Sequence, residues 1–174
     1  MESISITTYK STFGELLIGD FHGQLCLLDW KFRAKRQKVD ARICDFLSAQ
    51  YIHQETPLHQ IAIQQLKEYA SRQRKQFDLP LLFAGSEFQQ KVWSQLLQIP
   101  YAGTVSYLEL SRKLGDEKAI RAVASANGAN AISIVVPCHR VIGSHGELTG
   151  YAGGIRAKQQ LLQLEGNFRQ QELF

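Results

Sequence analysis

The sequence predicts an α+β protein in two domains. An N-terminal small antiparallel-sheet domain with a helix covers residues 1–85. A C-terminal mainly helical domain covers 86–174, with a helix-turn-helix and a loop carrying a reactive-type cysteine. Three observations predict this. Short apolar or alternating runs separated by turn residues fill the first thirty positions, as strands do. From Ser86 onward the apolar period lengthens to that of helices, punctuated by capping residues. The change falls at Ala84-Gly85, a small-residue break suited to a boundary.

In the first domain "SISITTY" (3–9) alternates, "GELLIG" (14–19) is short and apolar, and "QLCLLDW" (24–30) follows the turn-like "DFHG". These read as three strands with a hairpin at Asp20–Gly23. "TPLHQIAIQQLKEYASRQ" reads as a helix: Thr56 caps it and Pro57 takes the first turn. Leu58, Ile61, Leu66, Tyr69 and Ala70 form its stripe. "FDLPLLF" (77–83) reads as an edge strand, since Pro80 lacks the N–H an inner strand needs. The basic run "KFRAKRQK" (31–38) reads as a solvated loop, with Phe32 its only aromatic.

In the second domain Ser86 and Gln89 stand at capping-box spacing ahead of a helix running toward Pro100. Ser106 and Glu109 repeat that spacing. Tyr107, Leu110 and Leu114 share one face, Gly115 ends the helix, and Asp116 caps another that runs to about Ala126. Two short helices joined by a glycine turn are the signature of a helix-turn-helix. The second is rich in small residues, Ala119, Ala122, Ala124, Ser125 and Ala126, with one long cation, Arg121. It fits tight helix packing or close approach to a nucleic-acid groove. It lacks the several Arg, Asn or Gln of a major-groove reader, so on DNA it is expected to read shape or the minor groove.

Composition narrows the function classes. Apolar residues make up 44% of the 174, enough for a packed core. No run is long enough to span a membrane, and the N-terminus lacks a basic segment followed by an apolar core, so an intracellular, cytoplasmic location is expected. The net charge of +4 permits a polyanionic partner without requiring one. Cys26, Cys44 and Cys138 are odd in number and widely spaced, which is not a disulfide framework. His22 and Cys26 alone do not make a zinc site, and no metal or cofactor is expected.

The chemistry concentrates in "ISIVVPCHRVIG" (132–143), where an apolar run resembling a buried strand meets Pro137 and then Cys138, His139 and Arg140. A thiol becomes a strong nucleophile only as thiolate, so it needs a group that takes its proton or stabilises its charge. Adjacent strand residues face opposite ways. Contact between Cys138 and His139 therefore needs a non-strand backbone after Pro137, or a bridging water. A carboxylate on the other imidazole nitrogen would fix its tautomer. Glu147 and Glu165 are the nearest downstream, and Asn130 is a candidate orienting amide. From adjacency alone, a nucleophile and a small buried hydrophobe both remain open for Cys138.

"IVVPCHRVIG" followed by "GYAGG" resembles the signature of the O6-alkylguanine-DNA alkyltransferases, the methylated-DNA–protein-cysteine methyltransferases. The resemblance spans 86–166 and includes "FQQKVWSQLLQIPYAGTVSYLEL", "AIRAVASANGAN" and "LLQLEG"; the first domain matches loosely. It implies a DNA repair protein that moves an alkyl group from O6-alkylguanine in duplex DNA irreversibly onto its own cysteine, in one turnover and without a cofactor.

The resemblance also implies roles. Cys138 is the acceptor, His139 acts on it through water, and Glu165 is the far carboxylate of that relay. Asn130 braces the active-site turn, and Lys158 lies beside the pocket. Tyr107 pushes on the phosphate and donates to the extruded guanine. Arg121 fills the gap left in the duplex, with Ala122 and Ser125 on the same DNA-facing helix. Tyr151, Val141, Ala152 and Gly153 form the base pocket, the Val141 carbonyl accepting from the guanine amine. Alkylated double-stranded DNA, approached from the minor groove, is the expected partner of a monomer with no membrane association. Arg140 is expected to tie its loop to carbonyls or a carboxylate. Two other readings stay open: a non-catalytic lesion-binding module, and a Cys-His hydrolase or transferase acting on a small molecule through an acyl-thioester that turns over.

Overall fold

Alternation in the first thirty residues becomes three strands, β1 (Glu2–Ser11), β2 (Gly14–Phe21) and β3 (Gln24–Trp30). They pair antiparallel in sequence order. The β2–β3 turn places His22 and Gly23 both at positive φ, 52° and 82°. That is the twist-matched geometry of a two-residue hairpin. The computed structural model describes residues 1–166 of the chain, which fall into two compact units divided between Gly85 and Ser86. The last stretch of the predicted second domain, 167–174, lies outside the described residues.

The first unit departs from expectation in four places. The sheet is mixed, not purely antiparallel: β4 (Ala49–His53) pairs parallel to β1, giving the order β3-β2-β1-β4. A parallel neighbour needs a crossover, and α1 (Arg36–Leu47) provides it, so the unit holds two helices. The basic run is not a solvated loop. Asp29 is fully buried and accepts from Arg33 at 2.8 Å and Arg36 at 3.1 Å, and Arg36 also grips Asp40. A buried carboxylate must be paired, and these arginines pair it. On α2 (Pro57–Ala70) Ile61 is half exposed, and the buried stripe runs Leu58, His59, Ala62, Gln65, Leu66, Tyr69. His59 earns its buried place by hydrogen bonds: its Nδ1 accepts from Thr56 N and its Nε2–H donates to the Ser5 carbonyl. The Pro80 segment makes only a one-residue bridge, Leu81 with Leu25, beside β3.

The second unit is built on α3 (Glu87–Leu96), α4 (Tyr107–Lys113), α5 (Ile120–Gly128) and α6 (Ile155–Leu164), with a short parallel pair β5 (Val105–Ser106) and β6 (Val141–Ile142). Local capping decides where the helices start. Ser86 and Gln89 form a reciprocal capping box, Ser106 accepts from Glu109 N, and Asp116 accepts from Lys118 N. Between α4 and α5, Gly115 at φ +88° makes the turn and a single 3₁₀ turn, Glu117–Ala119, leads into α5. Trp93 Nε1–H donates to the Ala126 carbonyl at 2.8 Å and pins α5 to α3. Val92, Trp93, Leu96, Leu110, Val123, Val136, Leu161 and Leu162 are buried and form the core. No helix among the described residues is long and apolar enough to cross a membrane.

The run before Pro137 is not a strand. Ile134 sits at φ +72°, Val135 N–H donates to the Ser133 carbonyl, and Val136 N–H to that of Ile132. Its backbone bonds are taken up by Asn130: Asn130 Oδ1 accepts from Ile132 N, and Asn130 Nδ2–H donates to the Val136 carbonyl, each at 2.9 Å. Side-chain bonds of this kind offer the backbone an alternative to a sheet ladder. They curl a β-branched, fully buried sequence into a tight turn.

Candidate active site

Cys138, His139 and Arg140 form one turn of 3₁₀ helix immediately after Pro137. With three residues per turn, successive side chains point about 120° apart instead of to opposite faces. The three groups therefore fan out from one point. All three are buried, and Cys138 is in no disulfide. Cys138 N–H donates to the Val136 carbonyl, the same oxygen that Asn130 Nδ2 holds. Asn130 thus fixes the turn on which the thiol stands.

Glu165, at the end of α6, receives the other two side chains. Its Oε1 accepts from His139 Nε2–H and from Arg140 Nη2–H, both at 2.8 Å. Its Oε2 accepts from Arg140 Nε–H at 3.0 Å and from Ala102 N–H at 3.4 Å. Arg140 also donates to the Ile99 carbonyl at 2.8 Å, and its guanidinium lies 5.8 Å from the centre of the Tyr101 ring. Burial alone would raise the Glu165 carboxyl, but the hydrogen bonds from His139 and Arg140 outweigh it and bring it down to about 2.

His139 is shifted the other way. Burial pushes it below its ordinary value, with Arg140 and Lys158 acting in the same sense against the pull of Glu165. The imidazole is accordingly neutral at neutral pH. Because ionised Glu165 only accepts, the single imidazole proton sits on Nε2, and Nδ1 carries a bare lone pair. That Nδ1 is buried and has no hydrogen-bond partner among the described residues. A neutral base with its lone pair unengaged, next to a thiol, is what proton removal from Cys138 requires.

The remaining expected residues take these places. Lys158 is fully buried; burial lowers its amine to about 8, while Cys138 pulls it upward. Lys158 Nζ donates to the Thr149 carbonyl at 2.9 Å, and Thr149 Oγ1–H donates to the Tyr107 hydroxyl at 3.3 Å. Tyr107 and Lys158 are thus joined through Thr149, a residue the sequence did not single out. Tyr151 lies edge-on to His139, ring centres 6.5 Å apart, with Ala152 and Gly153 next to it and half buried. Val141 is buried on β6, paired with Val105. On α5, Arg121, Ala122 and Ser125 are all exposed, while Val123, Ala126 and Asn127 face inward. Glu147 takes no part in the His139 pair. It folds over Gly143, where a Cβ would overlap its carboxyl, and accepts from His145 N–H. The structure therefore brings Glu165 to His139.

A buried cysteine in no disulfide, an imidazole on the next residue, a carboxylate bonded to that imidazole, and a helix-turn-helix in the same unit are the parts that a protein with a cysteine nucleophile needs. Known proteins sharpen this class. The sequence profile of the 6-O-methylguanine DNA methyltransferase, DNA binding domain, matches residues 87–167. The chain is 40% identical over 168 residues to the constitutive methylated-DNA–protein-cysteine methyltransferase of Bacillus subtilis, covering 91% of this chain and 93% of that one. It is 50% identical over 106 residues to the methylated-DNA–protein-cysteine methyltransferase of Methanosarcina acetivorans, covering 61% and 68%. Among solved structures, Mycobacterium tuberculosis OGT in complex with DNA superposes with a TM-score of 0.78 at 37% identity, covering 94% of this chain and 92% of that one. The chain belongs to the methylated-DNA–protein-cysteine methyltransferase family.

Proposed function

We propose that this chain repairs alkylated double-stranded DNA by taking the alkyl group of O6-alkylguanine onto Cys138, once per molecule. The observation that carries the reading is the buried His139, bonded to Glu165 through one nitrogen and with no partner for the other among the described residues, directly after a cysteine that is in no disulfide. His139 Nδ1 takes the thiol proton through water. The thiolate attacks the alkyl carbon in line with the C–O6 bond, a C–S bond forms, and the C–O6 electron pair leaves with guanine. Tyr107 supplies a proton to the departing base. The product is a thioether, which no group in the site can cleave, so the protein is consumed. No cofactor enters the reaction.

The second unit carries both DNA binding and transfer. The exposed stripe of Arg121, Ala122 and Ser125 approaches the duplex from the minor groove, small residues allowing close contact. The target oxygen is out of reach inside the stack, so the nucleotide is rotated out and Arg121 fills its place. Tyr151, Ala152, Gly153 and the Val141 carbonyl surround the base, and the Lys158–Thr149–Tyr107 chain holds the loop over it. Asn130 keeps the cysteine turn in shape. The protein acts as an intracellular monomer, with the DNA.

The experiment is mass spectrometry of the intact protein after incubation with a duplex containing O6-methylguanine. One added methyl group per molecule, mapped to the Cys138 peptide, is expected. Repeated turnover, or no covalent change despite binding, would overturn the reading in favour of a hydrolase or of a lesion-binding module respectively.

A further inference from the structure

We propose that Ile134 is a positioning residue for Cys138: its buried side chain holds the backbone in a left-handed three-residue turn, and that turn sets where the thiol stands. The inference rests on the repair reading above and names what aims its nucleophile.

Among the described residues, those other than glycine with positive φ are His22, Ser48, Arg72, Ala102 and Ile134. The first four are exposed and lie in turns or just past helix ends, where a left-handed residue is ordinary turn chemistry. Ile134 differs on two counts. It is 1% exposed. It is also β-branched, the side-chain type for which a φ of +72° is a genuine outlier. Such a conformation persists only where the surrounding structure over-determines it.

The hydrogen bonds on both sides of Ile134 do this. Val135 N–H donates to the Ser133 carbonyl at 2.8 Å and closes a three-residue turn across Ile134. With positive φ at its centre, this is the rare and strained form of the γ-turn. Val136 N–H then reaches the Ile132 carbonyl at 2.9 Å, and the Val136 carbonyl meets the Asn130 amide at 2.9 Å. A second three-residue turn follows, of the common form. Pro137 has φ −82° and ψ 62°, and Cys138 N–H donates to the Val136 carbonyl at 2.8 Å. The chain reverses at Ile134 and passes its direction to Cys138 through one carbonyl, that of Val136. An extended Ile134, which its branched side chain favours, would carry Val136 away from Asn130 and move the thiol with it.

Two opposed effects meet in this one side chain. A left-handed conformation costs an L-residue about a factor of ten in population. Burial of the isoleucine side chain outweighs that cost. The anchor and the strain can be separated by substitution. Alanine keeps the Cβ, and with it the left-handed cost, but loses most of the anchor. Glycine loses the anchor and the cost together. A residue that only fills space would rank by volume, with alanine above glycine. A residue that holds a left-handed turn places glycine above alanine.

The test measures methyl transfer from an O6-methylguanine duplex in Ile134→Val, Ile134→Ala and Ile134→Gly. Amide hydrogen exchange is followed at Val135 and Cys138, whose N–H groups close the two turns. Ile134→Val keeps the branch and should stay within about threefold of wild type, the effect of one buried methyl group. Ile134→Ala should slow transfer about tenfold, the left-handed cost left without its anchor, and both amides should exchange faster. Ile134→Gly should transfer faster than Ile134→Ala and keep more of the exchange protection, although it leaves the larger cavity. A glycine variant that folds where the alanine variant does not is the same result. Glycine equal to or below alanine in rate or in folding, both variants unfolded, or Ile134→Ala at the wild-type rate would assign Ile134 to packing and overturn the proposal while leaving the repair reading intact. Wild type that transfers no methyl group would remove the repair reading itself. The exchange ranking is read without substrate and would still decide whether Ile134 holds the turn.

Discussion

Replacing Glu165 with glutamine keeps the shape of the side chain and removes its charge. In the native site that charge accepts from His139 and twice from Arg140. A carboxyl held at about 2 instead of 4.5 favours its charged form by roughly 3 kcal/mol, at 1.36 kcal/mol for each pKa unit. Part of that coupling is present only when His139 becomes imidazolium, which happens as the thiol ionises. Glu165→Gln should therefore slow methyl transfer by roughly 10–10², since 1.36 kcal/mol is a factor of ten in rate.

The pH dependence carries the sign. Without the carboxylate the thiolate–imidazolium pair is less favourable than the neutral pair, so the apparent thiol pKa read from the rate profile should rise. Arg140 would keep its buried charge opposite a neutral amide, and breaking such a pair costs about 3–5 kcal/mol of stability. The assay is the pseudo-first-order transfer rate from an O6-methylguanine duplex across pH 6–10, with circular dichroism and urea unfolding on the same samples. A folded Glu165→Gln protein with wild-type rate and pH profile would refute the relay and leave Glu165 as a structural clamp for Arg140.

Three further outcomes are expected. Cys138→Ala should abolish transfer and keep binding to alkylated duplex within a few-fold of wild type in a gel-shift assay; methylation of Cys26 or Cys44 in that variant would contradict the assignment. Arg121→Ala should slow repair of duplex far more than reaction with free O6-benzylguanine, because unstacking a base costs a few kcal/mol and only the duplex reaction needs it; equal losses would place Arg121 away from the DNA. Burial lowers His59 below its ordinary 6.5, so the unfolded chain takes up this proton first as pH falls. The contribution of His59 to stability is complete above about 6.5 and is lost as pH drops toward the lower folded value; the urea midpoint should fall less between pH 7.5 and 5.5 in His59→Gln than in wild type.

Features encoded within one helical turn were legible in the sequence. Thr56, Ser86, Ser106 and Asp116 each bond a backbone N–H two or three residues on, and that spacing is visible in the residues themselves. Gly115 at positive φ marked the helix-turn-helix turn in the same way. Features set by distant partners were not legible. α1 buries only Val39 and Ile43, so its period is faint, and the two arginines at its approach and first turn, Arg33 and Arg36, are organised by Asp29, four and seven residues earlier but across a turn. The β-branched run 132–136 has the composition of a strand, yet the Asn130 amide claims its backbone. At the site, the residues alone left Glu147 and Glu165 both open to His139. The resemblance named Glu165, and only the fold brings it there from 26 positions away.

Burial first, and Arg140 in the same sense, hold the histidine beside this carboxylate below its ordinary value. Paired with Glu165 alone, His139 would be drawn toward the imidazolium, and a charged imidazole has no lone pair to offer the thiol. Arg140 places its guanidinium on both oxygens of the same carboxylate. Glu165 thereby stays ionised while much of its field is already answered. Burial, with Arg140 and Lys158 adding positive charge nearby, then keeps His139 neutral. The carboxylate still fixes the tautomer through Nε2–H and still stabilises the imidazolium once a proton arrives. The sequence Cys-His-Arg is thus three side chains of one 3₁₀ turn to which the proposed reaction would give separate tasks: the first to react, the second to receive its proton, and the third to share the carboxylate that holds the second.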